Sequence, residues 1–146
     1  MKSVNPYLNF NGNTEAAFNF YRSVFGGEFA TVFRFKDFPG NPMKVPDKDL
    51  DKLAHIALPL GKGHMLMATD TLDGWGRPLA MGNNFYISIE PESAEEAQRL
   101  HAALSEGGKV EMPLQKTDWA EAYGICEDKF GVQWMVNYTG NVRLGG

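Results

Sequence analysis

A strand, a helix-start signal, a helical stretch and a Gly-Gly pair occur in that order twice, and this repetition limits the possible folds more than any other feature. In the first copy the strand Asn5–Phe10 leads to Asn13-Thr14-Glu15, a helix and Gly26-Gly27. In the second, Phe85–Glu90 leads to Ser93-Ala94-Glu95-Glu96, a helix and Gly107-Gly108. Asn13 to Gly26 is 13 positions, and Ser93 to Gly107 is 14. Such units cannot each bury an apolar face alone, so two related βα-containing modules are expected to share one fold. Two curved half-sheets joined in this way enclose a groove, and the groove is where function is expected.

At 146 residues the chain reads as one domain, with module one at about 4–70 and module two at about 83–138. A hydrophobic content of 43% and a charged content of 22% are those of a soluble globular protein. The net charge is −4 and no Lys/Arg run stands out, which argues against a nucleic-acid partner. Apolar stretches fall short of a membrane span, and Met1-Lys2-Ser3-Val4-Asn5-Pro6 lacks the apolar core of a signal peptide. A cytoplasmic location is therefore expected, where the Asn137-Tyr138-Thr139 sequon has no meaning. The single cysteine, Cys126, excludes an internal disulfide and lies in an apolar strand, as a buried small hydrophobe would.

The first helix, Thr14 to Phe25, puts Ala16, Ala17, Phe20, Tyr21, Val24 and Phe25 on one stripe. Asn13 is its expected cap, and Gly26 its left-handed stop. The second helix turns Ala94, Ala97, Leu100, His101 and Leu104 inward, and Ser93 with Glu96 has the form of a capping box. Both helices read as covers for a sheet. Alternation then sorts the strand residues onto two faces. Leu8 and Phe10, then Ala54, Ile56, Leu58 and Leu60, then Phe85, Ile87 and Ile89, and finally Val132, Trp134 and Val136 form the apolar faces. Opposite them lie Asn5, Tyr7, Asn9, His55, Asn84, Tyr86, Ser88, Gln133, Met135 and Asn137. That set is neither a dry core nor a charged solvent face, and has the chemistry of a binding-site lining. Further strands are expected at Glu28–Lys36, His64–Asp70, Lys109–Pro113 and Ala120–Glu127. Residues 36–51, with Pro39, Pro42 and Pro46, and residues 71–82, with Gly74, Trp75, Gly76 and Pro78, read as lids or disordered excursions, the second alternatively as a plain linker between the two halves.

The stretch Lys109–Asn137, KVEMPLQKTDWAEAYGICEDKFGVQWMVN, resembles the C-terminal signature of the PhnB-like family. Asn5-Pro6-Tyr7-Leu8-Asn9-Phe10-Asn11-Gly12 with Phe20-Tyr21 resembles its opening, and His55 with Met65-Leu66-Met67-Ala68-Thr69-Asp70 its middle. That family belongs to the vicinal-oxygen-chelate superfamily, with glyoxalase I, bleomycin-resistance proteins and extradiol dioxygenases. The resemblance implies an α+β fold of two βαβββ modules forming a cupped, barrel-like mixed sheet covered by helices, usually in a homodimer. It also implies four His or Glu ligands, one on each of four cup-facing strands, holding a divalent metal as Lewis acid. The matching positions here are Asn5, a place within Met65–Met67, Asn84 and Met135, which are poor ligands for Zn²⁺ or Ni²⁺. No cofactor and no resident metal are therefore expected.

Among single residues, His55 is the candidate for acid–base chemistry, the alternative being a half-buried histidine bonded within the sheet. His64 and His101 read as structural. Asp70 either anchors a turn or points into the cup, and Glu111 lies on an edge strand. His55, Asp70 and Glu111 together are an unconventional metal set. Trp119, after the polar turn Gln115-Lys116-Thr117-Asp118, suits stacking on a planar ligand or sealing the end of the sheet. Trp75 reads as a lid or subunit contact, and Trp134 as core. The expected function is binding of a small organic molecule through Asn5, Tyr7, Asn9, His55, Asn84, Tyr86, Ser88, Gln115, Trp119, Gln133, Met135 and Asn137. The competing reading is a metal-dependent isomerase, lyase or oxygenase with non-standard ligands.

Overall fold

The computed structural model describes residues 1–143. The strands are β1 (Tyr7–Phe10), β2 (Thr31–Arg34), β3 (Leu53–Leu60), β4 (His64–Asp70), β5 (Ile87–Ile89), β6 (Lys109–Gln115), β7 (Ala122–Glu127) and β8 (Gln133–Tyr138). The helices are α1 (Thr14–Phe25) and α2 (Ala94–Ser105). They form two compact units, one spanning Met1–Ala80 and the other beginning at Met81. Each is a βαβββ module around an open four-stranded mixed sheet, ordered β1-β4-β3-β2 in the first and β5-β8-β7-β6 in the second. In both, the strand before the helix pairs in parallel with the last strand of its module, and the other pairings are antiparallel. The α+β class and the duplicated module thus stand as read from the sequence, as open sheets rather than a closed barrel.

In the first unit, Phe18 and Tyr21 of α1 and Leu58, Leu66 and Ala68 of the sheet are sealed from solvent. The helix is rotated from the expected stripe: Phe18 is buried and Ala16 exposed. Its start differs too. Asn13 makes no side-chain cap, and the Asp70 carboxylate at the end of β4 takes that place. It accepts hydrogen bonds from Thr14 N (3.1 Å), Thr14 Oγ1 (2.6 Å) and Leu53 N (2.8 Å). Arg34 forks onto Glu15 at 2.6 and 3.2 Å, tying the end of β2 to the first turn of α1. In the second unit Ser93 Oγ caps Glu96 N at 3.0 Å, while the Glu96 carboxylate reaches back one residue further than a capping box requires, to Glu92 N.

Strand limits differ from the expected ones for local reasons. Pro6 has no N–H for the ladder, and Asn5 bonds Met65 N through its side chain, so β1 starts at Tyr7. After the irregularity between Phe33 and Arg34, the chain leaves β2 for a 3₁₀ turn at Phe35–Asp37. Phe85, expected on the apolar face, is 58% exposed and precedes β5, its carbonyl accepting from Gln133 Nε2. β6 runs past Pro113 to Gln115 because it is an edge strand, where a missing donor costs little.

Candidate functional site

Ladder partners share a face. In the first unit the face turned away from Leu8, Ile56, Leu66 and Ala68 therefore carries Tyr7 opposite Met67, Asn9 opposite Thr69, and Phe33 opposite His55. Across it, Tyr7 Oη and His55 Nδ1 share a hydrogen bond of 2.9 Å, and their rings stack at 5.6 Å and 27°. Which tautomer His55 adopts decides which atom donates. Partial burial raises the Tyr7 phenol above its ordinary range, so Tyr7 stays protonated at neutral pH. The pair is a ready proton donor and acceptor on an otherwise weakly polar face.

The corresponding face of the second unit is built differently. Ser88 opposes Met135, Ile125 opposes Met135 from the other side, and Tyr123 opposes Asn137. Ala120, Tyr123 and Ile125 form a small apolar cluster, on which Tyr86, Met112 and Met135 pack. Trp119 stands edge-on to Tyr123, with ring centroids 5.1 Å apart, and remains 42% exposed. Beside this surface the Tyr86 hydroxyl donates to both oxygens of Glu111, at 2.8 and 3.0 Å. Glu111 occupies the register shift between Val110 and Met112, where an inserted residue re-aims a side chain. The hydrogen bond to that carboxylate is the main reason the Tyr86 phenol titrates above its ordinary range. Tyr7 and Tyr86 hold matching places, each directly before a helix-facing residue, Leu8 and Ile87.

Not every expected lining residue is available to a ligand. Asn5 is occupied by Met65 N and Ser3 Oγ. Gln133 is buried, and its amide bonds the carbonyls of Gly82 and Phe85, holding the chain that enters β5. Asn137 donates to Thr139 Oγ1, which itself donates to Glu90. Asn9, Asn84, Ser88 and Gln115 are exposed. Tyr123, Ile125, Met112 and Phe33 were missed. Tyr123 and Ile125 alternate with Ala122, Gly124 and Cys126, and that alternation of large and small was the available signal.

The positions matching the superfamily's metal ligands offer two amides and the thioether-bearing β4 and β8, and the Asn5 carbonyl oxygen already accepts Met65 N. This donor set does not fit a hard or borderline divalent ion. The alternative set is not assembled: Asp70 is 4% exposed and spent on Thr14 and Leu53, away from the His55 face. Among the described residues, no three His, Cys, Asp or Glu side chains come together in a metal-binding group. Trp134 is core, its indole donating to buried Asp128 at 2.8 Å. Trp75 borders a cavity of about 320 Å³ with Asn11, Thr71 and Arg77. No helix among the described residues is long and apolar enough to cross a membrane.

Comparison with known proteins places these features in a family. Protein YjdN of Escherichia coli (strain K12) is 29% identical over 144 residues, covering 92% of this chain and 93% of that one. Protein PA1353 from Pseudomonas aeruginosa is similar in structure with a TM-score of 0.81 and 40% identity, over 93% of this chain and 98% of that one. The PhnB protein from Bacillus cereus shares the fold, with a TM-score of 0.68 and 24% identity over 93% and 98% of the two chains. A family model matches residues 3–136, nearly the whole duplicated frame. The chain belongs to the Glyoxalase/Bleomycin resistance protein/Dioxygenase superfamily.

Proposed function

We propose that this protein binds a small organic molecule on the helix-distal sheet face of its second module, without the divalent metal typical of the superfamily. The observation that carries the reading is the half-exposed Trp119, held edge-on by Tyr123, whose apolar cluster also packs the Glu111-bonded Tyr86. A large aromatic left open above a buried aromatic, with oriented polar groups at its margin, is how a pocket anchors a planar or apolar group. On the first module, by itself, the Tyr7–His55 pair supports a separate role, orienting or exchanging a proton with a molecule that docks on that module's own sheet face. Thermal-shift screening of metabolites and of Mn²⁺, Ni²⁺ and Zn²⁺ tests the proposal. An organic hit is expected, and Trp119→Ala should weaken its binding by roughly 1–3 kcal/mol, the usual loss for an aromatic anchor. Near-stoichiometric divalent metal in the purified protein, lost in His55→Ala, would establish the metal-dependent isomerase, lyase or oxygenase instead.

We also propose a homodimer, located in the cytoplasm. Val32 and Phe33 of edge strand β2 and the neighbouring Phe38 are 44%, 47% and 36% exposed, and the two phenyl rings stack at 6.1 Å. Such an apolar edge invites a partner. Light scattering should give twice the 16.2 kDa chain mass, and a monomer would end this part.

A further inference from the structure

We infer that the molecule bound on the second module's face carries an organic ammonium group, held between the Glu111 carboxylate and the rings of Trp119 and Tyr86. The inference rests on the proposed binding function and names the chemical class of its ligand.

Three observations carry it. First, Glu111 is an exposed carboxylate, and among the described residues it makes no ion pair. Its structural partner is a neutral phenol, which supplies one proton to two oxygens. An ionised carboxylate has about four acceptor sites, so most of its capacity faces outward. Second, that capacity is oriented: the irregularity in β6 directs Glu111, and Tyr86 bridges both of its oxygens, so the charge is fixed before a ligand arrives. Third, the adjoining surface is aromatic and thioether-rich, with Trp119, Tyr86, Tyr123, Met112 and Met135.

A π-rich surface is negative over its ring faces, and a carboxylate adds a full charge of the same sign. Together they attract a weakly hydrated organic cation and repel an anion. Other charges nearby do not reverse this field. Glu127 adds to it and contributes to raising the Tyr86 phenol. Lys109 stands opposite Glu127 at one end of β6, and Lys116 follows the other end. A metal ion would need further hard oxygen donors, and the neighbouring side chains are rings and thioethers.

Choline and its uncharged isostere 3,3-dimethylbutan-1-ol provide the test, with the Trp119 indole N–H followed by NMR on the full-length protein. Choline should shift that signal and bind at least about tenfold more tightly than the alcohol, the difference being the charge. Glu111→Gln should remove most of the preference, and Tyr86→Phe should reduce it. Glu95→Gln, on the exposed side of α2, should leave it unchanged. Equal affinity for the two probes, or no choline binding at tens of millimolar, overturns the inference. If a neutral or anionic compound from the screen moves Trp119 equally in wild type and Glu111→Gln, the ammonium assignment falls and the binding function stands. If no compound moves Trp119, both fall.

Discussion

Asp70 shows how much of this fold hangs on one side chain. A carboxylate that ends a strand was expected either to anchor a turn or to serve a site, and here it anchors three donors from two other elements. It satisfies Thr14 N, one of the four amides at a helix start that have no partner within the helix, and Leu53 N at the start of β3. Asn13, the residue with the usual capping chemistry, is left without a cap bond because the strand supplies a stronger, charged acceptor. Asp70→Ala leaves these buried donors unpaired at once. The expected loss is about 2–4 kcal/mol in urea denaturation, with Asp70→Asn in between because it keeps one acceptor. A loss below about 0.5 kcal/mol in the alanine variant would mean that water or Asn13 takes over the tether.

Among the elements, those with one-sided chemistry were legible and those with two-sided burial were not. Both helices were recovered from apolar spacing and terminal glycines, and α2 also from its Ser93 cap; Gly26 takes a positive φ of +80° but with ψ −172°, an extended glycine conformation rather than the left-handed helical stop expected. β1, β3, β8 and the chain entering β5 could be sorted by parity, and this brought Tyr7, His55, Met135 and Tyr86 to the faces where they lie. β7 escaped that logic because Ala122 to Cys126 are all buried. The cause is α2. His101 lies so close to Gly124 that an added Cβ there would be 2.9 Å from its ring, and 3.0 Å from Leu114 Cα. Only small residues fit beneath the helix, so Ala122, Gly124 and Cys126 face it and the bulky Tyr123 and Ile125 face away. The aromatic surface beside Trp119 is thus a consequence of close helix packing, and reading polarity alone could not find it. The Tyr86–Glu111 pair was equally hidden, since it depends on a ladder irregularity that shifts Glu111 relative to its neighbours.

At the scale of the whole molecule, two segments of similar composition have opposite fates. Residues 36–51 and 71–82 both carry the Pro and Gly content of an excursion. The first is fastened down: Asn41 bonds Val45 in both directions at 2.9 Å, and Phe35, Val45 and Leu72 form a buried cluster with Leu50 and Ala54 against it. In the second, Leu72 is the last buried residue, and every residue from Asp73 to Phe85 is exposed as the chain passes from one unit to the next. Proteases cut where backbone can be drawn out of the fold without breaking packed structure. Trypsin has one basic residue there, Arg77, and Pro78 follows it and blocks the cut. Chymotrypsin has Trp75, Leu79, Met81 and Phe85. At low enzyme ratio its first cleavage should fall between Trp75 and Phe85, giving two fragments near half the chain each by mass spectrometry. Phe38 and Met43, comparably exposed side chains in the fastened segment, should be cut later. First cuts at those two residues would mean that the Phe35–Val45–Leu72 cluster does not hold its loop, and that exposure of side chains, rather than tethering of backbone, governs where this fold opens.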